Sequence, residues 1–100
     1  MEVRDLVYSK ETSKFWRDDR NYNTEFVCMQ LLHMSSMLKL RGYLFENEIR
    51  EALGIRIISE GQTHGWLKSE GNPFMYDIVE FEYDTIGIRL LGSWEMYQKI

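Results

Sequence analysis

The chain holds one cysteine and one proline in 100 residues, and each scarcity excludes something. Cys28 alone cannot close an internal disulfide or build a multi-cysteine zinc centre, so a reducing cytoplasm is the expected setting. A lone proline and the absence of any Gly-, Pro- or Ser-rich tract leave no linker, and 100 residues make a single domain. No apolar run approaches the ~20 residues of a membrane span, and the opening MEVRDLVYSK lacks the basic-then-apolar order of a signal peptide. Bases are also too few. With 12 Lys and Arg against 16 Asp and Glu, the net charge is −4, which argues against direct binding of a phosphate backbone.

Apolar material is plentiful. Hydrophobic residues make up 44% of the chain and aromatics 14%, enough for a core that folds without a cofactor or metal. Six methionines also suit an adaptable partner surface, and a homo-oligomer is compatible with them. Charge is unevenly spread. Residues 1–22 carry five acids and five bases, whereas 69–84 carry five acids (Glu70, Asp77, Glu80, Glu82 and Asp84) and no base.

The dense charge of 1–22 predicts an N-terminal arm, pinned by Phe15 and Trp16, ahead of a single α+β domain over 23–100. A helix is predicted over 23–41, capped by Asn23 or Thr24 and stopped at Gly42. Its apolar residues fall in two adjacent rows, Phe26, Met29, His33, Met37 and Leu40 beside Val27, Leu31, Met34 and Leu38, so burial over much of the girth is expected. Residues 43–45 read as extended. A two-turn helix capped by Asn47 closes at Gly54, residues 55–58 are β-branched but short, and a strand is expected to start at Trp66. Met75, Val79, Phe81 and Tyr83 alternate with Glu80, Glu82 and Asp84 in the pattern of a half-buried strand, 86–91 pair with it, and Ser93 caps a last turn carrying Trp94, Tyr97 and Ile100. The expected class is α+β: one long and one short N-terminal helix packed on a small antiparallel sheet formed by the C-terminal half.

The stretch ALGIRIISEGQTHGW, residues 52–66, has the look of a ligand loop but lacks the lysine and following helix of a phosphate-binding G-x-x-x-x-G-K-[ST]. Gly54, Gly61 and Gly65 with Trp66 read instead as a structural corner that buries a tryptophan. His33 and His64 have no metal-ligand spacing, Cys28 reads as an inert core thiol, and no nucleophile elbow exists. No catalytic or metal residue is therefore assigned, and no enzyme is expected. A small enzyme would need His64 to meet a carboxylate of 77–84. The carboxylates Asp77, Glu80, Glu82 and Asp84 are the candidate partner-binding residues. On a strand, alternate residues stand about 6.6–6.8 Å apart, so Glu80, Glu82 and Asp84 could imitate a nucleic-acid backbone or bind a divalent cation weakly; the competing reading is a solvated face or a charge-protected edge.

Several of these residues carry a resemblance. Trp16, Tyr22 with Asn23, Arg41-Gly42-Tyr43, Phe45, Asn47-Glu48-Ile49, Leu53-Gly54, Gly61 and Gly65-Trp66, with the closing IGIRLLGSWEMYQKI, resemble domain of unknown function 6353, a family of small proteins from phages and gut Firmicutes. The chain departs from that pattern at Arg56 and Ile57, where a proline usually follows the Leu-Gly, in YDIVEFEYD, and in lacking an N-terminal hydrophobic segment. The resemblance implies a mobile-element origin and no particular reaction. It leads to an expected accessory protein that binds a host or phage protein, inhibiting a defence or nucleic-acid-handling complex through its acidic face; the alternative is a structural component of a phage particle.

Overall fold

A computed structural model describes residues 2–70, 74–82 and 85–95. Strands and helices interleave: β1 (Glu2–Ser9), α1 (Arg20–Arg41), β2 (Tyr43–Phe45), α2 (Glu46–Ala52), β3 (His64–Leu67), β4 (Met75–Glu82) and β5 (Thr85–Glu95). The class is α+β with an antiparallel sheet, but the sheet is not confined to the C-terminal half. Its outermost strand, β1, comes from the charged N-terminal segment and pairs with β5 from Ser9 opposite Thr85 to Glu2 opposite Ser93. The reason lies in alternation: Leu6 and Tyr8 point inward and are buried, while Val3, Asp5 and Val7 face out. Outward Val3 and Val7, and an inward Arg4 that reaches buried Glu46, mask the period in the sequence.

α1 begins a turn earlier than expected. Asp19 is its N-cap, its carboxylate accepting the Tyr22 N–H at 3.1 Å. Asn23, read as a cap, is buried inside the helix, where its amide donates to the Arg17 carbonyl (2.6 Å) and accepts the Arg17 N–H (3.1 Å). That clamp holds Trp16 against Tyr8, ring centroids 5.5 Å apart. The helix ends at Gly42, φ 91°, with Lys39 and Arg41 in the last turn. Its two apolar rows are covered unequally: Val27, Leu31, Met34 and Leu38 are buried and Phe26 and Met37 of the other row pack half-buried against the core, whereas Met29 and Leu40 of that row are exposed and Cys28, expected in the core, is exposed too.

α2 starts at Glu46 with Phe45 as its N-cap, and Glu48 Oε2 accepts the Phe45 N–H at 2.9 Å. Asn47 lies inside this helix and not at its cap; its side chain pins the following loop by donating to the Ile58 carbonyl (2.8 Å) and accepting the Ile58 N–H (3.1 Å). Residues 56–58 are therefore not a strand, and Ile55 makes only an isolated bridge to Ser13. A Cβ on Gly61 would strike the Asn47 amide, and one on Gly65 would strike the Leu44 carbonyl as β2 and β3 pair. Trp66 is fully buried there, edge-on to Phe74 at 4.8 Å. We expect Asn47→Ala to cost about 1–3 kcal/mol, because it strands both backbone groups of Ile58; urea unfolding measures it.

β5 organises the sheet. One side pairs with β1 throughout; the other pairs with β4 up to Leu91 and with β3 from Trp94. The changeover falls at Gly92, φ 81°, where Leu91 and Gly92 together lie beside Val3 in an interrupted β1 register. A left-handed residue in such a bulge bends the strand, and glycine adopts it without strain. The bend also turns the Leu91 carbonyl to accept the Trp66 indole N–H at 2.9 Å. Ser93 thus lies within β5 and does not cap a turn; Tyr97 and Ile100 lie outside the described residues. The inner face of the sheet (Leu6, Tyr8, Ile86, Ile88, Leu90) forms one core with the buried row of α1 and with Leu44, Ile49, Leu53 and Trp66.

Candidate functional site

The sheet has a second face, and none of α1's buried row covers it. Outward alternation on three neighbouring strands brings Asp5, Arg89 and Asp77 into one cross-strand row, and Val7, Gly87 and Val79 into the next. Arg89 Nε donates to Asp5 Oδ1 at 3.0 Å and its second nitrogen reaches Oδ2 at 3.4 Å. Both side chains are more than half exposed, so this fork orients the row more than it stabilises the fold. Because Gly87 has no side chain, a shallow hollow of about 230 Å³ opens between Val7 and Val79, floored by β5. Beyond the charged row, Val3 and Met75 form a second exposed aliphatic pair on either side of Leu91.

This geometry divides the predicted acidic residues. Asp77 stands on the outer face opposite Arg89. Met75 and Val79, predicted to face the core, share that outer face, and Tyr76 and Ile78 turn inward in their place. The backbones of Glu80 and Glu82 pair with Ile86 and Thr85 across a register shift between them, so the strict two-residue alternation is interrupted there. The side chains of Glu80, Phe81 and Glu82, and all of Tyr83 and Asp84, lie outside the described residues. Arg89 and Gly87, which shape the outer face, carried no signal in the sequence beyond their place in the apolar 86–91 run.

The histidines are apart. His64 is buried, with Nδ1 2.9 Å from the Glu60 carbonyl, and its backbone lies opposite Glu95. His33 is exposed on α1 beside an open groove of about 580 Å³ shared with Met37, Glu48, Glu51 and Ile57. Among the described residues no group of three or more His, Cys, Asp or Glu is placed to hold a metal ion, and no helix is long and apolar enough to cross a membrane.

The strongest charge cluster is structural. Glu46 is fully buried, receiving Arg4 Nε at 2.6 Å and Arg50 Nε at 2.7 Å. Burial pushes its carboxyl up, but the hydrogen bonds and charges of the two arginines outweigh that and hold it below the usual carboxylate range. Glu48 is lowered in the same way, burial being overcome by Arg41 at 2.7 Å and by the Phe45 N–H. With the cap read at Asn47, Glu46 falls outside the predicted helix, so neither its four-residue pairing with Arg50 nor the arrival of Arg4 from β1 was legible.

The family of unknown function DUF6353 matches residues 2–94, which include β1 and nearly all of β5. The chain belongs to this family. In this DUF6353 protein the residues that carried the resemblance are architectural: Gly42 and Gly54 are left-handed positions after the two helices, Asn47 and Gly61 meet face to face, and Gly65 and Trp66 lock β3 to β2 and to β5. No curated protein and no solved structure is significantly similar to it.

Proposed function

We propose that the protein acts by binding another protein, without chemistry of its own, through the outer face of β1, β5 and β4. The observation that supports this is the aliphatic surface left there: Val7 and Val79 are exposed on either side of the Gly87 hollow, and Val3 and Met75 are exposed beyond the Asp5–Arg89–Asp77 row. Exposed apolar patches rimmed by polar groups mark interaction sites. The finer form of the reading is an accessory protein of a phage or mobile element, held in the host cytoplasm, that inhibits a defence or nucleic-acid-handling complex. The partner then brings Arg and Lys side chains against the carboxylates of 77–84, a stretch that has no base of its own; the resemblance supports the origin.

A tagged copy incubated with host lysate tests this. One protein recovered near one-to-one, lost with Glu80→Lys/Glu82→Lys/Asp84→Lys and weakened about tenfold or more by Val7→Ser/Val79→Ser, is the expected result. A partner indifferent to both variants overturns the assignment of this face. Recovery of nothing but itself, in high multiples of 12.0 kDa, favours the particle or assembly component instead.

A further inference from the structure

The outward pole of α1 is a second unpartnered surface, on the far side of the helix from its buried row. Met29, Leu32 and Leu40 are 68%, 64% and 87% exposed, and with Ser36 they follow the three- and four-residue steps of a helix-packing seam, 29, 32, 36 and 40. On a soluble helix this strip would ordinarily be polar. Apolar residues here need a cover.

Charge along the same strip says what the cover is. Glu25 lies seven residues before Leu32 and Lys39 seven after it, so each stands about 10.5 Å from Leu32 along the axis and within about 20° of it around the helix. Both are exposed, and neither side chain has an ion pair among the described residues; Lys39 contributes only its backbone carbonyl, to Lys68. The strip is therefore an acid, an apolar centre and a base at equal spacing. Such a pattern is complementary to itself when reversed. An antiparallel copy centred on Leu32 sets Glu25 against the partner's Lys39, and by symmetry the same pair forms again at the other end. A parallel copy would oppose Glu25 to Glu25 and Lys39 to Lys39.

We propose that a second copy of this chain packs on α1, antiparallel and two-fold symmetric about Leu32, with two Glu25–Lys39 pairs closing the seam. A two-fold contact uses one patch twice, which is the arrangement the strip permits. A seam on one 22-residue helix is about 33 Å long and sits at the small end of specific interfaces, so a reversible dimer with Kd on the order of ten micromolar is expected. The interface lies across the core from the outer sheet face, so it leaves that face free and does not depend on its use.

Analytical ultracentrifugation of the full chain across the micromolar range tests it, with thermal melting as the folding control. Leu32 is exposed, so Leu32→Glu is expected to fold and to be monomeric. Glu25→Lys and Lys39→Glu each weaken the dimer by about tenfold at low salt, and the double swap Glu25→Lys/Lys39→Glu returns it to within about threefold, because it restores opposite charges at both ends. In a Cys28→Ser background, Leu32→Cys is expected to cross-link with a short bismaleimide into one species of twice 12.0 kDa. A wild-type monomer at every concentration overturns the proposal, including one that pellets with anionic vesicles. A dimer unmoved by Leu32→Glu, or a double swap no better than the single changes, overturns it equally.

Discussion

Replacing Trp66 with alanine is expected to remove about 3–5 kcal/mol of folding stability, the largest loss among single truncations of the described core. Among the described residues Trp66 is the largest of the fully buried side chains, and it stands where three parts of the sheet meet: its own strand β3, the neighbouring β2, and the bulge of β5. Alanine leaves a cavity beside Phe74, whose ring now packs edge-on at 4.8 Å, and strips the Leu91 carbonyl of the indole N–H. Neighbouring backbone cannot collapse into the space, because Gly65 is already pressed against the Leu44 carbonyl. Against the 5–15 kcal/mol typical of a domain, such a loss places the variant near the unfolding threshold. Urea titration followed by far-UV circular dichroism measures it. Trp66→Phe should recover most of the apolar packing and lose mainly the hydrogen bond, about 1 kcal/mol. Equal losses for the two variants would show that the ring's burial is not what matters.

Glu46→Gln should cost about 3 kcal/mol near neutral pH, since it leaves two arginines facing a neutral amide in a dry site. Arg4 and Arg50 have side chains only 22% and 15% exposed, so water recovers little of the lost interaction. Replacing all three charges together, as Arg4→Met/Glu46→Leu/Arg50→Met, is expected to be far less harmful than the single change, because the desolvation cost of the charges disappears with them. The pH dependence has a definite sign. The folded carboxyl lies below its ordinary value of 4.5, so the unfolded chain takes up the proton first as pH falls. The contribution of Glu46 is fully present above about 4.5 and disappears as the pH drops through the lower, folded value. Wild type should therefore lose stability on that acid limb, and Glu46→Gln should show a shallower one when midpoints are compared between pH 3 and 7. Parallel limbs would remove Glu46 from the account.

The parts of this fold legible in the sequence were those with a local cause. Lys39, Arg41 and Gly42 end α1 because a helix terminus needs cations and a left-handed residue at that point. Residues 43–45 and the strand around Trp66 were legible for their apolar extended character, and they do pair with each other. What was hidden depends on neighbours distant in the chain. Two equally apolar rows on α1 cannot reveal which one is buried; Val27, Leu31, Met34 and Leu38 share a core with residues distant in the chain, such as Leu44, Ile49 and Trp66. In β4, Met75 and Val79 alternate as well as Tyr76 and Ile78 do, so period alone could not assign the inner face. Residues 55–58 have the β-branched composition of a strand, but Asn47 satisfies both backbone groups of Ile58 and leaves nothing for a ladder. The acidic stretch was visible as composition; the row formed by Asp77, Arg89 and Asp5 needed the register of three strands.

The pairing of β1 with β5 also has a consequence for synthesis. The first strand made, residues 2–9, waits for the last, residues 85–95, before its inward Leu6 and Tyr8 can be covered by their sheet neighbours. At roughly 5–20 residues per second, the nascent chain spends several seconds with α1 available and the sheet unmade. Contacts so distant along the chain also slow the search for the native topology. α1 and the clamp of Asn23 on Arg17 are local and can form in that interval, so the chain emerges as a helix that must wait for its floor.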